Sequence, residues 1–152
     1  MTKGVGRRSR GYAAIGLYQH KTPANLGGVL RAAGCYGAAM VAYTGNRYPG
    51  SIIDTVKAHH IIPLLHPEDL RDVIPYDCVP VAVDLLEGAR CLTGYTHPRN
   101  AFYIFGPEDS TLGTNVTDWC RDIISVPTRF CMNLAATVNV VLYDRLAKEM
   151  RT

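Results

Sequence analysis

The chain has 152 residues, 47% of them hydrophobic and 19% charged. That length is one domain's worth of polypeptide, and the composition excludes a disordered chain; no apolar run reaches the ~18 residues that would span a bilayer. The formal net charge of +3 is mild but uneven: Lys3, Arg7, Arg8 and Arg10 sit in the first ten residues with no acid among them, so the rest of the chain is close to neutral. Residues 1–11 therefore read as a flexible basic arm, able to attract a polyanion, on a domain spanning 12–152. The arm lacks the apolar stretch of a secretory signal, which points to a cytoplasmic protein. The five cysteines, Cys35, Cys78, Cys91, Cys120 and Cys131, form no Cys-x-x-Cys pair. They read as core or near-core thiols.

In chain order, Tyr12–Tyr18 predicts a buried strand. A helix follows over Pro23–Cys35, with Leu26, Val29, Leu30 and Ala33 at helical spacing. Ala38–Tyr43 predicts a second strand, Ser51–His59 a weak helix and Ile61–Leu65 a short strand. Pro67, Glu68 and Asp69 predict the start of a helix that runs to about Val73. Cys78–Leu86 and Ala101–Phe105 predict strands, Leu112–Cys120 a modest helix and Ile123–Val126 a short strand. Asn133–Met150 predicts the longest helix, with Leu134, Val138, Val141, Leu142 and Arg145 near one face. Strands apolar on both faces that alternate with helices predict an α/β fold, with a mostly parallel sheet covered on both sides. Ligands of such sheets bind at the carboxyl ends of the strands. The exits to inspect are therefore 19–31, 84–90, 106–113 and 126–133.

The first exit carries Asn25, then a glycine pair, Gly27-Gly28, then Arg31. Two glycines in a first helical turn cost roughly 1 kcal/mol each against alanine, so something approaches this backbone closely; a phosphate is one occupant. The next exit reads Phe105-Gly106-Pro107-Glu108, and the last reads Val126-Pro127 followed by Cys131, Met132 and Asn133. Taken alone, Glu108 is a solvated or capping acid and Asn133 a helix N-cap. A nucleotide-binding domain of flavodoxin type would place a phosphate loop after the first strand, and Gly4-Val5-Gly6 precedes that strand instead. The histidines His59, His60 and His66 read as surface residues rather than metal ligands.

In this order the three exits resemble the motifs of the SpoU (TrmH) family of RNA ribose methyltransferases, in the SPOUT superfamily. Asn25 followed six residues later by Arg31 matches the first motif. The apolar strand entering Gly106-Pro107-Glu108 matches the second. Val126-Pro127, Asn133 and the apolar helix reaching Tyr143-Asp144 match the third. Thr111 stands where that family usually has glycine, the stretch between Pro127 and Asn133 is short, and Cys131 stands where serine is frequent. The resemblance implies a C-terminal deep trefoil knot, S-adenosyl-L-methionine (AdoMet) as cofactor, and a homodimer through the last and first helices. The substrate it implies is RNA, tRNA favoured over rRNA. It implies a cofactor site made by Val83, Asp84, Leu85, Gly106, Pro107, Glu108, Val126, Pro127, Cys131, Met132 and Asn133. Arg31, Glu108 and Asn133 become the catalytic set, with Glu108 and Asn133 holding the loops and Arg31. Asn25, Arg31, Arg7, Arg8 and Arg10 become RNA contacts, and no metal is implied. The alternative is a dimer of the same fold that binds RNA without methyl transfer.

Overall fold

The apolar runs pair with one another along their length. In the computed structural model, which describes residues 11–45 and 62–151, the strands are β1 (Tyr12–Leu17), β2 (Val41–Tyr43), β3 (Leu64–Leu65), β4 (Val79–Val83), β5 (Arg90–Cys91), β6 (Asn100–Phe105) and β7 (Asp122–Ser125). They form one seven-stranded sheet in the order β3-β2-β1-β6-β4-β7-β5. Every pairing is parallel. The helices are α1 (Pro23–Tyr36), α2 (Thr114–Thr117) and α3 (Leu134–Arg151), with 3₁₀ turns at Leu70–Val73 and Leu92–Gly94.

Alternation along each strand sends side chains to two cores. Ile15 and Leu17 of β1, Tyr103 and Phe105 of β6 and Val81 of β4 face α1 and α3. Ala14, Phe102, Ile104 and Ala82 face the other way, under Leu70, Leu112 and Val116. Gly16 is required here: a Cβ on it would stand 2.5 Å from the Phe102 ring. Leu17 pairs with Phe105, Phe105 with Val83 and Val83 with Ile124, so β1, β6, β4 and β7 end level. Their loops leave from one edge of the sheet.

The predicted parallel α/β fold is present, with several elements shorter than expected. The Leu112–Cys120 helix is a single turn, and the stretch after Pro67 is a 3₁₀ turn capped by Asp69, whose carboxylate accepts the Arg71 N–H at 2.9 Å. The strand expected over Cys78–Leu86 spans only Val79–Val83; past it the Asp84 carboxylate accepts the N–H of its neighbour Leu85, which turns the chain out of the sheet. Pairing of the strand expected over Ile61–Leu65 is confined, among the described residues, to Leu64–Leu65. β5 has no counterpart in the sequence reading, being two exposed residues with no alternation to detect. The Ser51–His59 helix, His59, His60 and the basic arm lie outside the described residues. Three cysteines correct the core-thiol expectation. Cys35, Cys91 and Cys131 are exposed, on the end of α1, the edge strand and a loop, while Cys78 is buried and Cys120 half-buried.

Candidate active site

A cleft of roughly 100 Å³ opens where β4, β6 and β7 end and α3 begins. Val83, Asp84 and Leu85 come from the first loop, Gly106, Pro107 and Glu108 from the second, and Val126, Cys131 and Met132 from the third. These are the predicted cofactor residues save two: Pro127 and Asn133 adjoin the lining without forming it. Ser110, Thr128, Leu134 and Thr137 also line the cleft. None of these four stood out in the sequence, since loop hydroxyls and a helix-start leucine are ordinary residues. The Asp84 carboxylate is already occupied: it accepts from the Leu112 N–H at 2.5 Å and the Leu85 N–H at 2.7 Å. It pins the 106–113 loop across the end of the sheet, and Leu112 fills the space beside Gly106.

Glu108 reaches from this loop to the start of α1. Its carboxylate accepts from the Lys21 N–H at 2.9 Å, the Thr22 N–H at 3.3 Å and Asn25 Nδ2 at 2.5 Å. Thr22, at the N-cap, makes no side-chain cap of its own. Glu108 therefore supplies from a distant loop the anion that a helix N-terminus favours. Burial pushes its pKa up, but the donors from Lys21, Asn25 and Thr22 outweigh burial and hold it below the usual value.

Asn25 then passes the connection on. Its Oδ1 accepts from Asn133 Nδ2 at 2.9 Å. Asn133 Oδ1 accepts from the Ala135 and Ala136 N–H groups at 2.9 and 3.3 Å, the N-cap expected of it. Residues 25, 108 and 133, distant in sequence, thus form one hydrogen-bonded chain that fixes α1, the β6 loop and α3 together. Asn25 is 7% exposed, and both ends of its amide are used within the chain.

Arg31 is not part of that chain. Six residues at 100° each place it about 240° around α1 from Asn25. Its side chain is exposed and, among the described residues, makes neither a hydrogen bond nor an ion pair. The expectation that Glu108 and Asn133 hold Arg31 is corrected: they hold Asn25, on the inward face of the same helix. Gly28, one of the α1 glycine pair, has a different reason from the one expected. A Cβ on Gly28 would stand 2.7 Å from Cβ of Ala135, so α3, and no ligand, is what approaches there. His66 lies away from the cleft, its ring stacked on Tyr43 with centroids 4.2 Å apart.

The SpoU rRNA Methylase family model matches residues 12–143. No match was found among the curated proteins. Among solved structures, the chain is similar to the SpoU methyltransferase AviRb from Streptomyces viridochromogenes, with 17% identity, a TM-score of 0.79, and 97% of this chain and 63% of that one covered. It is similar to an rRNA methyltransferase from Sinorhizobium meliloti, with 20% identity, a TM-score of 0.78, and 92% and 57% covered. A third likeness is to a protein whose structure concerns 2-OH methylation of C/U34 on tRNA, with 18% identity, a TM-score of 0.77, and 94% and 99% covered. At these identities the likeness is one of fold, and the chain spans about three fifths of the length of the first two.

Proposed function

The chain belongs to the SpoU rRNA methylase family, and from that premise we propose that it is an RNA methyltransferase acting on a ribose 2′-hydroxyl with AdoMet as cofactor, tRNA favoured over rRNA. The observation that carries this reading is the Glu108–Asn25–Asn133 chain, which ties together the three motifs of the resemblance beside the cleft. Forms of AviRb and of the S. meliloti protein with AdoMet bound support the cofactor. The preference for tRNA is supported by the C/U34 protein, whose whole length this chain nearly matches.

The cleft suits such a cofactor in kind. Leu85, Val126, Met132 and Leu134 give its lining an apolar part, and Asp84, Glu108, Ser110, Thr128 and Thr137 a polar one. It is narrow, roughly 100 Å³ against the about 300–1,000 Å³ common for small-molecule sites. When bound, AdoMet supplies a methyl group already activated as a sulfonium. The chain's own task is to align the hydroxyl and steady the negative charge that grows on its oxygen. Glu108, Asn25 and Asn133 act as positioning residues, since their polar groups are spent on one another and on helix ends. Arg31, whose exposed guanidinium offers a planar fork of donors, is the residue we assign to the RNA phosphate and the developing alkoxide. Arg7, Arg8 and Arg10 add a salt-sensitive attraction for the RNA backbone.

We extend the reading to a homodimer and a trefoil knot. Val140, Tyr143, Leu146 and Met150 are exposed along one side of α3, which supports the former. Insertion of β7 between β4 and β5, with α3 returning to pack on α1, supports the latter.

The test is transfer of labelled methyl from AdoMet to tRNA and, separately, to rRNA, each prepared from cells lacking the protein. Label in tRNA that resists alkaline cleavage and vanishes with Arg31→Ala is the expected result. The narrowness of the cleft favours one second reading, an RNA-binding dimer without catalysis. Absence of both label and AdoMet binding would sink the methyltransferase reading and promote this one.

A further inference from the structure

A second cavity, of about 470 Å³, lies at the carboxyl ends of β1, β2 and β3, and the methyl-transfer reading gives it no role. We propose that it is a nucleobase subsite, receiving an unstacked base of the RNA beside the methylated nucleotide; this rests on the RNA methyltransferase reading above. Its size falls within the range of small-ligand sites.

Two planar groups stand in it with their backs already secured. The Arg71 guanidinium is held by Asp69, with Nε 3.1 Å from both carboxylate oxygens and Nη2 2.6 Å from Oδ2. It lies 6.0 Å from the centroid of the Trp119 ring, whose indole N–H donates to the Asn115 carbonyl at 2.8 Å. The His66 ring lies flat on Tyr43, at 9° between planes, with Nε2 3.2 Å from the Gly45 carbonyl. Unstacked RNA bases are held by such surfaces: aromatic rings and guanidinium planes.

Charge decides against phosphate. Arg71 is neutralised by Asp69, and Glu68 adds a further carboxylate, so the formal charge of these three is −1. A phosphate would be repelled, whereas a base can donate its ring-edge N–H groups to Glu68. Gln19 completes the edge. It is the one non-glycine residue with positive φ, +51°, among those described, and it is exposed in the cavity wall. That backbone state is strained for a residue with a side chain and recurs at ligand sites. Its N–H lies 3.3 Å from Thr44 Oγ1, and its amide offers a base both a donor and an acceptor.

Position links this cavity to the chemistry. Tyr18 and Gln19 line it, and Lys21 and Thr22, next in the same loop, hold Glu108. The three steps from Tyr18 to Lys21 extend at most about 10 Å, a distance that adjoining nucleotides of a single strand cover. The loop is thus a partition between the reacting nucleotide and its neighbour.

Trp119 is the sole tryptophan of the chain, so its fluorescence reports on the cavity directly. Short oligo-C and oligo-A ribonucleotides, titrated into the full chain without AdoMet, should change that fluorescence to saturation. Arg71→Ala and Gln19→Ala should each weaken the titration about tenfold, the loss expected of one stacked or paired base. Arg71→Ala keeps the backbone N–H that Asp69 caps, and circular dichroism checks that both variants are folded. Millimolar inorganic phosphate should not compete. With tRNA as methyl acceptor, both variants should raise KM and leave kcat near that of the unaltered chain. The proposal is overturned by no saturable change, by a change that both variants leave intact, or by displacement with phosphate. Methyl transfer by the unaltered chain without any fluorescence change would discard the subsite and keep the enzyme. Fluorescence titration with no methyl transfer to any RNA would do the reverse.

Discussion

At Asn25 one amide does two opposite things, donating to Glu108 and accepting from Asn133. An amide provides both, where an ionised carboxylate of the same size only accepts. Asn25→Ala leaves Glu108 and Asn133 each short of a partner, and should lower unfolding free energy by about 1–3 kcal/mol in urea titration. Asn25→Asp should cost more at pH 7, because it sets a second carboxylate where Glu108 needs a donor. That excess should shrink as the pH is lowered and the new pair takes up a proton. Both variants should lower methyl transfer, since they loosen the cleft and α1 together. Cys131 gives a second residue-scale prediction. It is exposed and lines the cleft, whereas exposed Cys35 and Cys91 do not. AdoMet should therefore slow alkylation of Cys131 at least severalfold and leave Cys35 and Cys91 unchanged, as read by peptide mass spectrometry. Equal protection of all three thiols, or of none, would place the cofactor elsewhere. Glu108, Asn133 and the cleft loops were legible in the sequence only as a set, because each alone is a commonplace cap or turn. Their joint partner was not legible. The apolar spacing of Leu26, Val29, Leu30 and Ala33 turns Arg31 outward, but it does not say that Asn25, at the border of that face, meets a loop and a helix start more than eighty residues away.

The last helix was legible as an element because its inward face repeats at helical spacing, and Leu134, Val138, Val141, Leu142 and Arg145 are all buried. What the spacing hid is that Arg145 is there for the backbone. It donates to the Pro98 carbonyl at 2.7 Å, the Arg99 carbonyl at 2.6 Å and the Tyr103 hydroxyl at 3.2 Å. Lys148 donates to the Leu92 and Tyr95 carbonyls at 2.6 and 2.7 Å. These bonds fasten α3 to the segment that enters β6. His97 sits inside the clasp, its Nε2 2.7 Å from Asp144 and its Nδ1 2.7 Å from the Tyr103 hydroxyl. Arg145 already donates to that hydroxyl, so the hydroxyl's proton points to Nδ1 and the neutral Nε2–H tautomer fits. Burial lowers the His97 pKa, against the opposing pull of Asp144, and Lys148 and Arg145 add to the lowering. His20, also buried, is lowered by burial too. A histidine lowered on folding binds fewer protons folded than unfolded, so stability rises with pH across that interval. The contribution is complete above the ordinary value of about 6.5 and is lost as the pH falls from there toward the lowered value. Urea midpoints should therefore drop between pH 7.5 and 5.5, and His97→Gln should flatten part of that slope. A slope unchanged in His97→Gln would assign the effect to other groups. Elements with no repeating pattern, β5 and the turns replacing two predicted helices, were illegible for the converse reason: pairing with β7, the local Asp69 cap and the Asp84 bond to the Leu112 N–H fix them instead.

For the molecule as a whole, parallel order buries the sheet under α1 and α3 on one side, and α3 then has two faces to satisfy. Its inner face is the core. On the opposite side Val140 is 37%, Tyr143 60%, Leu146 40% and Met150 58% exposed, at spacings of three and four residues. Four apolar side chains in register on one helix exceed what scattered surface residues explain, and such stripes mark interfaces. One helix is too little for a stable dimer, which buries about 1,200–2,000 Å² in all. α1 packs alongside α3 and would have to contribute its outer flank, as the family resemblance implies. In a two-fold dimer each substituted residue acts twice, once from each copy. Tyr143→Glu combined with Leu146→Glu places four carboxylates in one apolar contact without touching the inner face of α3. Sedimentation velocity should show a dimer for the unaltered chain and a monomer for this variant at micromolar concentration. The dissociation constant should rise roughly thirtyfold or more, the loss expected when a central apolar anchor is removed. The thermal midpoint of the isolated variant should stay within a few degrees, because the altered residues leave the core intact. A variant that still sediments as a dimer would move the interface off α3. An unaltered chain that sediments as a monomer at every concentration would remove the dimer from the reading altogether.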